Sequence, residues 1–325
     1  MNNTHWNRRL EQAGDNMKEV VFVGNRFNVL KEIMNSKEFD VKQIYCVQSS
    51  SLAKELSVRN IDYKLLRNKQ EFINDLAKLD FDILISNGCP YILPVSKIKK
   101  AGQLFINIHP SLLPELRGNS PINGALLFNK KAGATCHIMD DGIDTGETIE
   151  QIEIDLTPDI DLGLLYQLSF MAESDAFNLA LANNFTPQKR NQAESTSYYS
   201  RKDEDKIIDF KDDAEVTVRR IKAFGLKSQG AYFRYNGHKF TVLDAELVTN
   251  AYLFSKIDGY KNLQIAFIYD DTIVIRKDNV FVKLKKVIGE IQHLHVGDIL
   301  FQDSAVNIEG LGLLSTAKDV HPRNR

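Results

Sequence analysis

The chain has 325 residues, enough for two domains of ordinary size with sizeable cores. Hydrophobic residues make up 43% and charged residues 26%, a balance that excludes a disordered or fibrous chain. The net charge of −2 offers no bulk attraction to nucleic acid, and no apolar run approaches the roughly 18 residues of a membrane-spanning helix.

The polar opening from Met1 to Asn16 lacks the apolar centre of a signal peptide and reads as a tail. Lys18 to Val23 ends in a continuous apolar run, the form of a strand buried on both faces of a parallel sheet. It breaks at Gly24-Asn25-Arg26-Phe27-Asn28, after which Val29, Leu30, Ile33 and Met34 recur at helical spacing. A strand, a glycine turn and a helix start make a potential anion site, but one glycine falls short of G-x-G-x-x-G. Val41 to Val47 predicts a second strand, Ser49-Ser50-Ser51 caps a helix to about Arg59, and Ile61 to Leu66 predicts a third strand. Glu71 to Leu79 reads as a helix, and Phe81 to Ser86 as a strand ending in the Gly/Pro turn that runs from Asn87 to Pro94.

Leu104 to His109 is the next strand, and period-two alternation puts Asn107 and His109 on one side of it. Pro110 ends the strand, because it cannot donate to a ladder. Pro121 to Phe128 predicts a helix with Pro in its first turn. Ala134 to Met139 is a further strand, running into an Asp/Gly turn that carries Asp140, Asp141 and Asp144. Were it to lie parallel beside Leu104–His109, the carboxyl ends of both would meet where open α/β sheets bind ligands. An imidazole accepts a proton near neutral pH, a carboxylate beside it fixes its tautomer, and an amide N–H stabilises an oxyanion. No Ser or Cys sits in a strained elbow, so direct attack by a substrate amine on an acyl donor is the natural chemistry. By chemistry alone any of the three Asp residues could serve. His137 alternates with Cys136 and Ile138 in a run that reads as core, which makes it a structural residue.

Glu147 to Ile154 alternates as an edge strand, Asp161 to Leu181 reads as a long amphipathic helix, and residues 186–199 form a polar linker. Beyond it, Asn236-Gly237 between strand-like runs predicts a hairpin with a primed turn. Strand-like runs at Ile265–Ile268, Thr272–Arg276 and Asn279–Leu284 predict a small β-barrel of OB type. Lys283, Lys285 and Lys286 are the densest basic cluster there and read as a solvated edge strand guarded by lysine. Cys46, Cys89 and Cys136 are odd in number and set in or beside apolar runs, as expected of reduced cysteines in a cytoplasmic protein.

The order Asn107-x-His109-x-Ser111-Leu112-Leu113-Pro114, followed by Asp140-x-Gly142-x-Asp144-x-Gly146, resembles the signature of the folate-dependent formyltransferases. The resemblance implies a Rossmann-like, mostly parallel α/β catalytic domain over 17–185 and a smaller carboxyl-terminal OB-like β domain over 200–325. It implies Asn107, His109 and Asp144 as catalytic residues and N10-formyltetrahydrofolate as co-substrate, with no metal. Tyr91, Ile92, Leu93, Met139, Asp140 and Asp141 then fall at the folate slot, and Asn25, Arg26, Ser111 and Arg117 at the acceptor. Arg117-Gly118-x-x-Pro121 is similar to the tRNA and amino-sugar branches of the family. The segment after the second strand, Gln48 to Leu52, is short and uncharged, unlike the basic loop of methionyl-tRNA formyltransferases. The expected acceptor is therefore the primary amine of a nucleotide-linked amino-deoxysugar, as in O-antigen or other surface polysaccharide synthesis. Initiator tRNA or a hydroxyornithine-type amine is the alternative. The expected assembly is a homodimer that engages neither nucleic acid nor membrane.

Overall fold

The computed structural model describes residues 17–188 and 196–301. The expected tail at 1–16, residues 189–195 of the expected linker and the chain after 301 lie outside the described residues. The chain divides into two compact units that are not contiguous in sequence. Residues 115–132 and 155–168 group with the carboxyl-terminal part, and 133–154 and 169–188 with the amino-terminal part. No helix among the described residues is long and apolar enough to cross a membrane.

The first unit is built on a seven-stranded sheet of order β3-β2-β1-β4-β5-β6-β7. Its strands are β1 (Lys18–Gly24), β2 (Phe39–Val47), β3 (Lys64–Leu66), β4 (Ile83–Asn87), β5 (Leu104–His109), β6 (Ala132–Ile138) and β7 (Thr148–Ile154). β1 to β5 pair in parallel. The apolar run of β1 sits mid-sheet, and Val20 to Val23 are fully buried because each face has its own core. On one face Val20, Phe22, Ile106, Ile108 and Cys136 pack with Val29, Leu30 and Ile33 of α1 (Asn28–Asn35) and with Ala172, Ala176 and Phe177. On the other, Val21, Val23, Leu84 and Phe105 pack with Phe72 and Leu76.

The helix starts follow from the residues at their caps. Ser50 Oγ accepts from Ala53 N at 3.1 Å to open α2 (Ser51–Val58). Asn68 Oδ1 accepts from Glu71 N at 2.8 Å to open α3 (Lys69–Lys78). The short α4 (Val95–Ile98) follows the Gly/Pro turn after β4.

β6 departs from the parallel arrangement that would make two carboxyl ends meet. It pairs antiparallel with β5, in the register Asn107↔His137 and His109↔Thr135. Period two carries no information on pairing direction, and the chain between the two strands includes α5 (Pro121–Leu127). As expected, β7 is an edge strand. α6 (Leu162–Ala182) is not the simple amphipathic helix of the sequence reading: Leu164, Met171 and Leu179 are exposed while Ser169 and Glu173 are buried.

The second unit holds an antiparallel five-stranded sheet of order β10-β11-β12-β9-β8, with α7 (Ala214–Ala223) beside it. The strands are β8 (Ala231–Tyr235), β9 (His238–Val248), β10 (Ile265–Tyr269), β11 (Thr272–Lys277) and β12 (Val280–Ile288). Asn236 and Gly237 have φ of 49° and 81°, the pair of positive angles that a type I′ turn demands. β12 is an inner strand, not the lysine-guarded edge expected from sequence. Lys283 stands opposite Glu246 and Lys285 opposite Asp244 on β9, with ion pairs of 3.2 and 2.8 Å. Cross-strand carboxylates therefore balance the cluster that looked basic in one dimension.

Asn123 of α5 is fully buried in this unit. Its Nδ2 donates to Ala223 O at 2.6 Å and to Gln229 Oε1 at 2.7 Å, and its Oδ1 accepts from Tyr166 OH at 3.0 Å. Asn123→Ala leaves two acceptors and a hydroxyl without their partner, and the expected cost is about 2 kcal/mol. A lower thermal midpoint, with faster amide exchange in α7, checks it. An unchanged midpoint would contradict it.

Candidate active site

Asn107 and His109 lie on the same side of β5, and His109 reaches the strand's carboxyl end, where Pro110 stops the ladder. Because β6 runs antiparallel, His137 stands directly across from Asn107. The turn from Met139 to Gly146 then brings Asp144 back to the same cluster, with the Asp144 backbone in the left-handed region at φ 52°. Aspartate tolerates that conformation better than most residues.

The hydrogen bonds assign the protons. His137 Nδ1 lies 2.8 Å from the Ile138 carbonyl, which can only accept, so Nδ1 carries the ring hydrogen. Nε2 is then a lone pair, and it accepts from Asn107 Nδ2 at 3.0 Å. The second Asn107 N–H points at Asp144 Oδ1 at 3.3 Å, and Asn107 Oδ1 accepts from Ser86 Oγ at 2.8 Å. Reversing the amide would set its oxygen against a lone pair and a carboxylate, so the amide has one stable orientation. His109 Nδ1 is 3.6 Å from Asp144 Oδ2, too long for a hydrogen bond and suited to an ion pair once the ring is protonated.

His137 is buried, and burial pushes its imidazole below the usual range, with Asp144 opposing and His109 reinforcing that push. A neutral His137 is the form that accepts from Asn107.

A second polar group forms in the same unit. Arg26, in the turn after β1, grips Glu173 of α6 with Nε at 2.9 Å and Nη2 at 2.6 Å. Its Nη1 donates to Asn25 Oδ1 at 3.1 Å, and its guanidinium lies 5.1 Å from the Phe170 ring centre. Burial pushes the Glu173 carboxyl above its usual range, and the Arg26 fork opposes that push. Asn87, at the end of β4, donates to Ile108 O at 3.3 Å, while its buried Oδ1 receives no hydrogen bond among the described residues.

The other sequence candidates divide. Ser111 is buried, and its carbonyl accepts from Thr135 Oγ1 at 2.6 Å. Arg117 belongs to the second unit, where its backbone pairs with Ser197 and Tyr199. Leu93 is a core residue, while Tyr91 and Met139 pack half-buried against the same core and Ile92 is exposed. Asp140 closes its own turn by accepting from Gly142 N at 3.0 Å and Thr145 Oγ1 at 2.5 Å. Asp141 Oδ1 accepts from Ser96 N at 2.9 Å, which ties the turn after β6 to the start of α4. The two segments that carry the six folate candidates are thus held together. A cavity of about 450 Å³ lined by Tyr45, Lys64, Arg67 and Asp75, among others, shares no residue with any of these groups.

Sequence reasoning left His137 as a structural residue without placing it beside Asn107, and did not single out Glu173. The signal for His137 was the alternation itself, since a residue facing away from Cys136 faces the side that Asn107 occupies once the pairing is known. Glu173 had no comparable signal, because one carboxylate among the apolar residues of a long helix reads as a solvated position.

Comparison with known proteins gives the family. Residues 17–181 match the family model for formyl transferase, and residues 201–308 match the one for the formyl transferase carboxyl-terminal domain. The methionyl-tRNA formyltransferase of Syntrophus aciditrophicus is 27% identical over 235 residues, 70% of this chain and 73% of that protein. The chain spans about half the length of several other methionyl-tRNA formyltransferases that it matches, such as 46% of that from Clostridium novyi at 32% identity. Among solved structures, the N-formyltransferase from Helicobacter canadensis, in complex with folinic acid and dTDP-3-aminofucose, superposes with a TM-score of 0.64. Identity is 20%, over 83% of this chain and 99% of that one. WlaRD, a sugar 3N-formyl transferase crystallised with dTDP and 5-N-formyl-THF, gives 0.63 at 19% identity, over 84% of this chain and 98% of that one. At these identities the likeness is one of fold. With an antiparallel β6 setting Asn107, His109, His137 and Asp144 together inside the region that the first model matches, the chain belongs to the formyl transferase family.

Proposed function

We propose that the chain transfers a formyl group from N10-formyltetrahydrofolate to the primary amine of a nucleotide-linked amino-deoxysugar. The observation that carries this reading is the convergence of an oriented amide, an imidazole and a carboxylate around Asn107, His109 and Asp144. The structural likeness to sugar N-formyltransferases favours this acceptor class. The short, uncharged Gln48–Leu52 segment favours it over initiator tRNA. Residues 17–185 carry the chemistry in this reading, and 200–325 are a separate domain.

The unprotonated amine attacks the formyl carbon, forming one C–N bond and leaving the charge on the formyl oxygen. Asn107 and His109 stabilise that oxyanion. Asn107 keeps its 3.0 Å bond to His137, and its longer 3.3 Å contact with Asp144 is the one exchanged for the oxygen. Asp144, with His109 or a bridging water, takes the proton from the attacking nitrogen and passes it to N10 as the original C–N10 bond breaks. In this reading the formyl donor lies along the two segments that hold Tyr91, Ile92 and Leu93 and Met139, Asp140 and Asp141, which the Ser96 N to Asp141 Oδ1 bond ties together.

The test is a panel of dTDP-, UDP- and GDP-linked amino sugars beside charged initiator tRNA, each with N10-formyltetrahydrofolate. Turnover on an amino sugar at least about 100-fold above that on the tRNA is expected. Salt-sensitive tRNA binding with formylation of its methionyl group would replace this acceptor with the tRNA.

A further inference from the structure

In the second unit, His238 opens β9 directly after the Asn236-Gly237 turn, and Glu290 and His293 follow the end of β12. Their approach is dictated by the sheet. Ile288 pairs with Thr241, and Gly289 then passes so close to β9 that a Cβ there would lie 2.8 Å from the Lys239 carbonyl oxygen. One 3-10 turn, Ile291–His293, closes with His293 N donating to Glu290 O at 3.0 Å. It lays the His293 ring over that of His238, with centroids 4.1 Å apart and planes 20° from parallel.

The polar atoms of the trio converge. His238 Nδ1 lies 2.9 Å and His293 Nε2 3.3 Å from the same oxygen, Glu290 Oε2, and one ligand atom from each residue falls within 4.8 Å of the others. Ligand atoms about 2.0–2.1 Å from a tetrahedral zinc ion stand about 3.3 Å from one another. Two edges of the triangle are already near that length. Two imidazoles and a carboxylate suit zinc, and also nickel and copper, while calcium and magnesium prefer oxygen alone.

We propose that His238, Glu290 and His293 form a site for a divalent transition metal of the zinc type, which clamps the β8–β9 hairpin to the segment after β12. The site takes no part in formyl transfer, and a fourth position is left for water. Among the described residues it is the one cluster of three His, Cys, Asp or Glu side chains with this convergence.

The test uses the full chain without a histidine tag, stripped with EDTA and exchanged into chelator-free buffer, then titrated calorimetrically with zinc chloride. One equivalent is expected to bind with release of protons, and zinc is expected to raise the thermal midpoint. Each of His238→Ala, Glu290→Gln and His293→Ala should weaken binding more than about tenfold and abolish the rise in midpoint. These side chains are at least a third exposed, so the variants keep the fold. His295→Ala, two residues on, should bind as the wild type does. Absence of stoichiometric uptake, or uptake that survives the His238→Ala/His293→Ala double variant, would overturn the proposal.

Discussion

Asp144→Asn and His109→Ala are each expected to lower kcat for formyl transfer by about two to four orders of magnitude while the protein remains folded. Asparagine keeps the shape of the side chain and tolerates the left-handed backbone at Asp144, so the turn survives. What it removes is charge: a carboxylate that faces His109 Nδ1 through one oxygen and Asn107 Nδ2 through the other becomes a neutral amide. The amide can still accept from Asn107 Nδ2 through its oxygen, but it carries no charge to balance a protonated imidazole and cannot take up the amine proton. His109→Ala removes the imidazole and leaves Asp144 without a base to orient. Steady-state and single-turnover rates with N10-formyltetrahydrofolate, beside circular dichroism to verify folding, measure both. Near-normal turnover in the two purified variants would dispose of the catalytic assignment.

Arg220→Ala should cost about 3 kcal/mol of the second unit's stability, the largest single-residue loss expected there. Arg220 is 1% exposed; its Nη1 donates to the Asp205 carbonyl at 3.0 Å and its Nη2 to Asp212 Oδ2 at 2.7 Å. Asp205 in turn accepts from Tyr199 OH at 2.8 Å and Lys202 N at 2.8 Å, so one guanidinium fixes a network that reaches from residue 199 to 220. Arg220→Lys should recover less than half of the loss, because an ammonium cannot span both acceptors with the fixed fork of a guanidinium. Amide exchange of β8 and β9 against urea reads the effect in this unit without mixing in the first. A loss below about 1 kcal/mol would show that the network is not carried by Arg220.

The first unit's strands were largely legible because a strand covered on both faces must be apolar throughout, as in Val20–Val23 and Ile83–Ile85. Ser50 at a helix start and Asn236-Gly237 at a hairpin were equally readable, since cap and turn chemistry is local. The spacing of Asn107, His109 and Asp144 was legible through the family signature. Pairing direction was not, because side-chain alternation is the same in either direction: β6 turned antiparallel and brought His137 into the cluster. The lysines of β12 were misjudged as an edge for a related reason, as Asp244 and Glu246 lie some forty residues away in sequence and directly across in the sheet. The Arg26–Glu173 pair, separated by 147 residues, is the longest-range contact of the group and left no trace in local pattern.

One consequence lies in the register of β6. Shifting that strand by a single residue would carry Cys136 or Ile138 to the place opposite Asn107 and drive His137 into the apolar layer that Ile106, Ile108 and Phe177 share. Reactivity and core order are thus two readings of one alignment. Enlarging a buried residue of β6, at Ala134 or Cys136, is therefore expected to disturb the His137–Asn107 alignment as well as the core.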